Sequence, residues 1–204
     1  FVRYADDSMI FCKSKRAAMR VKESVTRFIE NVLYLKVNNE KTIVSYVRGV
    51  KYLGYSFYVM KGKCQFMVHP KSKSKMKSKL KELTSRSNGW GYAKRKQKLK
   101  EYIRGWVGYY HLANMKRFLL DTDEWLRRRI RMCIWKAWKK VGTKVANLIR
   151  CGIDKYKAYE WGNTRKGYWR VADSPILTRA IDNNRLRSAG YATLMGSYLE
   201  WYPK

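Results

Sequence analysis

The chain has 204 residues, with 46 Lys and Arg against 15 Asp and Glu and a formal charge of +31. Eight Trp, 16 Tyr and 6 Phe in a 46% hydrophobic composition exclude a disordered tail and are enough for a packed core, and no run approaches the ~18 apolar residues of a membrane span. A folded chain this basic repels itself unless a polyanion neutralises it, so nucleic acid is the expected partner. A membrane surface is set aside, since no amphipathic helix offers a Trp/Leu insertion face.

The first element is a hairpin. Phe1–Ala5 and Met9–Cys12 are short apolar runs around Asp6-Asp7-Ser8, which puts acids at the turn. Residues 15–34 read as a helix, because Ala18, Val21, Val25, Phe28, Ile29 and Val32 recur at spacings of three and four. Tyr34–Val37, Ile43–Val47, Tyr52–Val59 and Gln65–Val68 read as strands, with Gly62 in the turn between the last two. A start at Phe1 rather than Met reads as a fragment or processed chain.

Pro70 and the run that follows, from Lys71 to Lys79, mark a junction, because Pro stops regular structure and the periodicity changes beyond it. Residues 1–70 hold 13 Lys and Arg against 5 acids, whereas residues 71–204 hold 33 against 10. The second part is helical. Met76, Leu80 and Leu83 give one stripe, and Leu99, Tyr102, Ile103, Trp106, Val107 and Tyr110 a second. Leu126, Ile130, Cys133, Ile134, Ala137 and Val141 give a third. From about residue 150 the chain breaks into short aromatic and Gly-punctuated pieces, ending in an apolar stretch over 191–202. The expected fold class is α+β: a sheet with one helix over 1–70, a helical domain over 71–150 and a basic tail over 151–204.

Cys12, Cys64, Cys133 and Cys151 are far apart, and only His69 and His111 accompany them. That pattern gives no zinc site and no disulfide framework, and suits thiols in a reducing cytosol. Asp6 and Asp7 are the acidic pair that chemistry can use. Adjacent carboxylates on a tight turn repel unless a cation joins them, and magnesium takes carboxylate oxygens together with substrate phosphates. Two such ions can activate a hydroxyl and stabilise a leaving pyrophosphate.

The basic residues supply the second constellation. Lys71, Lys73, Lys75, Lys77, Lys79 and Lys81 alternate along a helix, and phosphate contact is the better reading for them in so basic a segment. Arg127, Arg128 and Arg131 with Arg129 form a cluster, three of the four turned away from the third stripe, and Lys136 lies on the outside of the same helix. Guanidinium forks suit a structured RNA backbone. Trp106 and Tyr110 fit the core, and Trp135 lies off the stripe. Tyr168 and Trp169, flanked by Arg165, Lys166 and Arg170, are candidates for stacking on unpaired bases, with a core role the alternative.

Phe1-Val2-Arg3-Tyr4-Ala5-Asp6-Asp7 resembles the YxDD signature of reverse transcriptases, in the YADD form of group II intron-encoded proteins. Leu35-Lys36-Val37-Asn38-Asn39-Glu40-Lys41-Thr42 is similar to the L-x-x-N-x-x-K-T block that follows it, and Tyr52-Leu53-Gly54-Tyr55-Ser56-Phe57 to the next, F-L-G-Y-x-F. Arg104–Tyr110 and Asp123–Arg129 resemble the maturase thumb, or X domain, and Asn163–Pro175 with Asn184–Tyr191 the end of many bacterial members.

The resemblance implies the end of a polymerase palm, then thumb and tail. It makes Asp6 the principal ligand of a two-magnesium centre and Asp7 its neighbour, with Tyr4 and Ala5 beneath the primer terminus and incoming nucleotide. Lys41 would lie near the active site or stand as an exposed strand-end lysine. Gly54 would let backbone approach the primer strand, or sit at an ordinary strand bulge. Expected partners are group II intron RNA, and in a complete enzyme a DNA primer or target and dNTP. The expected activities are reverse transcription, splicing assistance and intron mobility, in the cytoplasm of a bacterium and at the nucleoid by virtue of the substrate. Neither a zinc site nor the HNH nuclease common in the family is expected. A third palm carboxylate belongs on a strand upstream of YxDD, so this chain alone is expected not to polymerise; the alternative is an RNA-binding splicing factor without polymerase activity.

Overall fold

Tyr4 and Asp7 pair across a two-residue turn, closing the first hairpin from β1 (Val2–Tyr4) and β2 (Asp7–Met9). The turn is Ala5-Asp6, not Asp6-Asp7-Ser8, so Asp7 and Ser8 are strand residues and the second strand ends at Met9. Ala5 takes a left-handed φ of 50°, a conformation that costs a residue with a Cβ about 1–2 kcal/mol. The computed structural model describes residues 1–202, and the chain forms two units, 1–69 and 70 onward.

Helix α1 (Lys15–Asn31) begins where Ser14 accepts the backbone N–H of Ala17. Its apolar stripe forms as the periodicity requires, yet no α1 residue is buried and Phe28 is 54% exposed. The runs Tyr34–Val37 and Ile43–Val47 are not strands. A β-prone run becomes a strand only when its backbone meets a partner, and among the described residues neither does. Instead Asn38 organises a turn: its side chain accepts the N–H of Lys41, and its carbonyl accepts the N–H and hydroxyl of Thr42. That turn is the local reason for the Asn-x-x-Lys-Thr spacing. Lys22 of α1 donates to the Thr42 carbonyl and ties the loop to the helix.

The strand expected over Tyr52–Val59 folds as a hairpin of its own. β3 (Lys51–Tyr52) and β4 (Tyr55–Met60) flank Leu53-Gly54, with φ of 49° and 81°. β4 and β5 (Lys63–Val68) flank Lys61-Gly62, with φ of 50° and 73°. Two positive φ values in a two-residue loop are the geometry that matches strand twist, and they favour Gly in the second position. Gly54 is therefore a turn glycine, neither a bulge nor a strand-interior residue.

The second unit is helical: α2 (Pro70–Leu83), α3 (Tyr92–Tyr110), α4 (Lys116–Ala137), α5 (Val141–Arg150) and α6 (Lys155–Gly162), followed by four short helices. These are α7 (Tyr168–Val171), α8 (Pro175–Ala180), α9 (Asn183–Ser188) and α10 (Leu194–Leu199). Pro70 opens α2 at a position where a missing N–H costs nothing. Met76, Leu80, Leu83, Leu99, Ile103, Val107, Leu126 and Ile130 are all buried, as the stripes require.

α4 is central: α2, α7 and α10 all pack on it. Its segment 130–135 is buried at Ile130, Arg131, Met132, Cys133 and Trp135, which spread around the whole circumference. A helix buried on all faces has no outer side there. The single stripe expected for 126–141 is thus too narrow: Trp135 is core, and Val141 belongs to α5, where it is exposed. Residues 151–202 fold with the rest of the helical unit, and α10 packs on α3 and α4. Trp201 stacks on His111 at 4.5 Å with the planes 20° apart. A Cβ on Gly108 would come within 3.2 Å of that indole, which explains a glycine at this point of α3.

Candidate nucleic-acid interface and carboxylate hairpin

The two carboxylates of the first hairpin stand one residue apart, Asp6 in the turn and Asp7 opposite Tyr4, and Tyr4, Ala5, Asp6 and Asp7 are all exposed. Hard oxygen donors on a tight turn fit magnesium, which needs only one or two carboxylates when waters and phosphates complete its shell. Among the described residues no group of three or more His, Cys, Asp or Glu side chains stands together, so the hairpin brings together two carboxylates and no third. Lys41 is exposed in the turn that Asn38 builds.

The basic residues divide into those that face solvent and those that hold the fold. On α2, Lys71, Lys75, Lys77, Lys79 and Lys81 are exposed. Lys79 pairs with Glu82 at 2.7 Å. Lys73 is half-buried, 4.9 Å from the Phe118 ring centroid, and burial, then the neighbouring Lys77, lower its pKa.

α4 corrects the expectation for the arginine cluster. Arg131 is 8% exposed, and its guanidinium donates to the Ile181 carbonyl at 2.7 Å and Asn183 Oδ1 at 2.9 Å. It closes the end of α8 rather than facing RNA, because its stretch of α4 is enclosed. Arg128 is half-buried: it lies 3.9 Å from the Trp169 ring centroid, donates to the Trp169 carbonyl and pairs with Asp173 at 3.0 Å. Arg129 donates to Thr84 Oγ1, to the Thr84 carbonyl and to the Lys81 carbonyl. Those last carbonyls of α2 sit at the negative end of the helix dipole, where a cation is favoured. Lys136 donates to the Arg86 carbonyl just beyond. Arg127 is half-buried.

Arg165 and Lys166 are exposed between α6 and α7. Tyr168 and Trp169 are each 38% exposed, at the start of α7 rather than in a loop. A cation already lies over each ring, Arg128 on Trp169 and Arg86 5.3 Å from Tyr168, so each has at most one face left for a base.

Two buried charges stand outside the expected set. Asp123 is 3% exposed, and its two oxygens accept the N–H groups of Leu194 at 2.8 Å and Met195 at 2.9 Å, capping α10 from another helix. Burial raises its pKa, against the pull of those two N–H groups. Arg95 is 5% exposed and holds Asn88 Oδ1 at 3.0 Å, while its Nε has no partner among the described residues. Both carried a sequence signal: Asp123 falls between Leu119 and Leu126, and Arg95 precedes Leu99 and Ile103, so each is a charge on an apolar stripe.

No helix among the described residues is long and apolar enough to cross a membrane. A comparison with curated proteins gives no match. Residues 1–57 match the reverse transcriptase (RNA-dependent DNA polymerase) family, and residues 73–152 match the group II intron, maturase-specific domain. The carboxylate hairpin lies in the first match, and α2 to α5 fill most of the second. With the two matches in this order, the chain belongs to the group II intron reverse transcriptase/maturase family.

Proposed function

We propose that the helical unit binds folded intron RNA through backbone phosphates, with α2 as its principal contact. The observation that carries this reading is the exposed lysine row on α2. Lys75, Lys77 and Lys81 reach solvent with no carboxylate within ion-pair distance among the described residues, on a segment of 33 basic and 10 acidic residues. Such a row costs repulsion in the free protein and recovers it when phosphates displace counterions. RNA held this way assists splicing by keeping the intron in its folded form.

The first unit adds the YADD hairpin to a polymerase palm. Asp6 and Asp7 would hold magnesium there, and the ions would supply charge for the attacking hydroxyl and the leaving pyrophosphate. The protein's own share is to fix the carboxylates on a short hairpin and to present Tyr4 and Ala5 beside them.

RNA titration at several salt concentrations tests the binding reading. Each neutralised phosphate contributes about 0.7–0.9 to the slope of log affinity against log salt. Replacing Lys75, Lys77 and Lys81 together by Gln should lower the slope by roughly 2–3 if all three touch phosphate. A folded triple variant with the wild-type slope would remove α2 from the interface.

A further inference from the structure

Between the end of α6 and the start of α8 lies an open cleft of about 380 Å³, lined by Glu160, Trp161, Thr164, Lys166, Pro175 and Ile176. That volume is within the ~300–1,000 Å³ of small-ligand sites. Ile176 is buried and Trp161 half-buried, which makes the inner wall apolar, while Glu160 and Lys166 are exposed at the rim with opposite charges.

The carboxylate is the informative member. In this unit Glu82, Glu101 and Asp173 are spent in ion pairs, and Asp123, Asp154 and Asp182 cap helices. Asp121, Glu124, Glu160 and Glu200 have neither role among the described residues, and of these four Glu160 is the one that lines the cleft. A carboxylate repels phosphate, so this wall is not built for the backbone of a polyanion. It accepts N–H groups, and the uncharged donors of RNA are on its base edges and its 2′-hydroxyls. Guanine alone offers two adjacent N–H donors, N1–H and the 2-amino group, that the two oxygens of one carboxylate can take together. An aromatic wall suits an unstacked base, and a cation at the rim suits the phosphate beside it.

We infer that this cleft holds a single unpaired guanine, its ring against Trp161, its Watson–Crick edge on Glu160 and its flanking phosphate near Lys166. The inference rests on the RNA-binding reading and adds a base-specific subsite to it.

The test uses the full chain and three decamers: all-uridine, uridine with one central guanosine, and uridine with one central inosine, which lacks the 2-amino group. Wild type should bind the guanosine decamer about tenfold tighter than all-uridine, with inosine between, since tenfold corresponds to one net hydrogen bond to a charged group. Glu160→Gln, at an exposed position, should keep the all-uridine affinity and reduce the guanosine preference to about twofold or less. Equal, salt-dependent binding of all three decamers by wild type would overturn the cleft and leave the RNA reading standing. A preference that survives Glu160→Gln would likewise overturn it, by placing guanine recognition elsewhere. No binding of any decamer at low salt would overturn the cleft, and a chain that also failed to bind folded intron RNA under the same conditions would overturn the RNA reading with it.

Discussion

Removing the Asp123 carboxylate should loosen α10 from the body of the helical unit. Asp123 sits inside α4 and accepts two backbone N–H groups at the start of α10, while Thr193 Oγ1 accepts a third from Gly196. Asp123→Ala leaves the Leu194 and Met195 donors without their acceptor in a site that is 3% exposed at the aspartate. Two hydrogen bonds to a charged acceptor are worth about 1.5–3 kcal/mol each, and part is returned because the carboxylate no longer has to be desolvated. A net loss of about 3 kcal/mol follows, or a Tm drop near 10 °C for a unit of this size. Asp123→Asn, which keeps one acceptor oxygen, should lose about half as much. The sign of the pH dependence separates the two contributions. Folding raises the Asp123 pKa above its reference of 3.8, so between those values the folded chain keeps a proton that the unfolded chain releases. The contribution of this group to stability therefore falls as pH rises through that window, and Asp123→Asn should abolish that fall. Thermal melts across the acid range, with amide exchange at 194–198, measure both effects. An Asp123→Ala protein melting within about 1 °C of wild type, with α10 amides exchanging at the wild-type rate, would refute the cap.

Arg131→Gln should cost about 2–4 kcal/mol in melts, because the Ile181 carbonyl and Asn183 lose a buried charged donor, yet leave the salt slope of RNA binding unchanged. Asp6→Ala should abolish primer extension by a complete polymerase carrying this hairpin while leaving RNA affinity nearly intact, and near-normal extension would remove Asp6 from the metal site. Lys61→Asn should stabilise the β4–β5 hairpin by a few tenths of a kcal/mol up to about 1, since Asn tolerates the φ of 50° better than Lys; urea melts of the first unit measure it.

The helical stripes were legible because 3.6-residue periodicity depends only on which face is apolar. Met76, Leu80, Leu99, Ile103 and Leu126 are buried as their spacing requires. Two kinds of information were not local. Tyr34–Val37 and Ile43–Val47 have strand composition, but strand formation depends on a partner backbone that composition does not contain. Arg131 and Trp135 lie off the single stripe that the spacing over 126–141 gives, yet both are buried. The run 130–135 is apolar at every position except Arg131, which is the mark of a helix enclosed on all sides, and a charge within such a run has to find its partners indoors. For the hairpin, the order Tyr-Ala-Asp-Asp was readable, while the turn position was displaced by one residue, because Ala5 accepts a positive φ that its type disfavours.

The same arginines bear on how far net charge measures an RNA footprint. Arg95, Arg129, Arg131, Arg185, Lys96 and Lys136 all donate to carbonyl or amide oxygens within the helical unit. Several of those oxygens end a helix: Lys81 and Thr84 at α2, Ile181 and Ala180 at α8, Ala189 at α9. Short helices expose many terminal carbonyls, and a chain with few acids has cations to spare for them. Part of the positive charge is therefore structural and neutralises helix dipoles rather than phosphates. Counting every Lys and Arg as a phosphate contact would overstate the salt dependence of binding. The side chains that remain, led by Lys75, Lys77 and Lys81 on α2 with Arg165 and Lys166 before α7, are exposed and fall into two groups on different parts of the helical unit, so the contributions of the two groups to the salt slope should add.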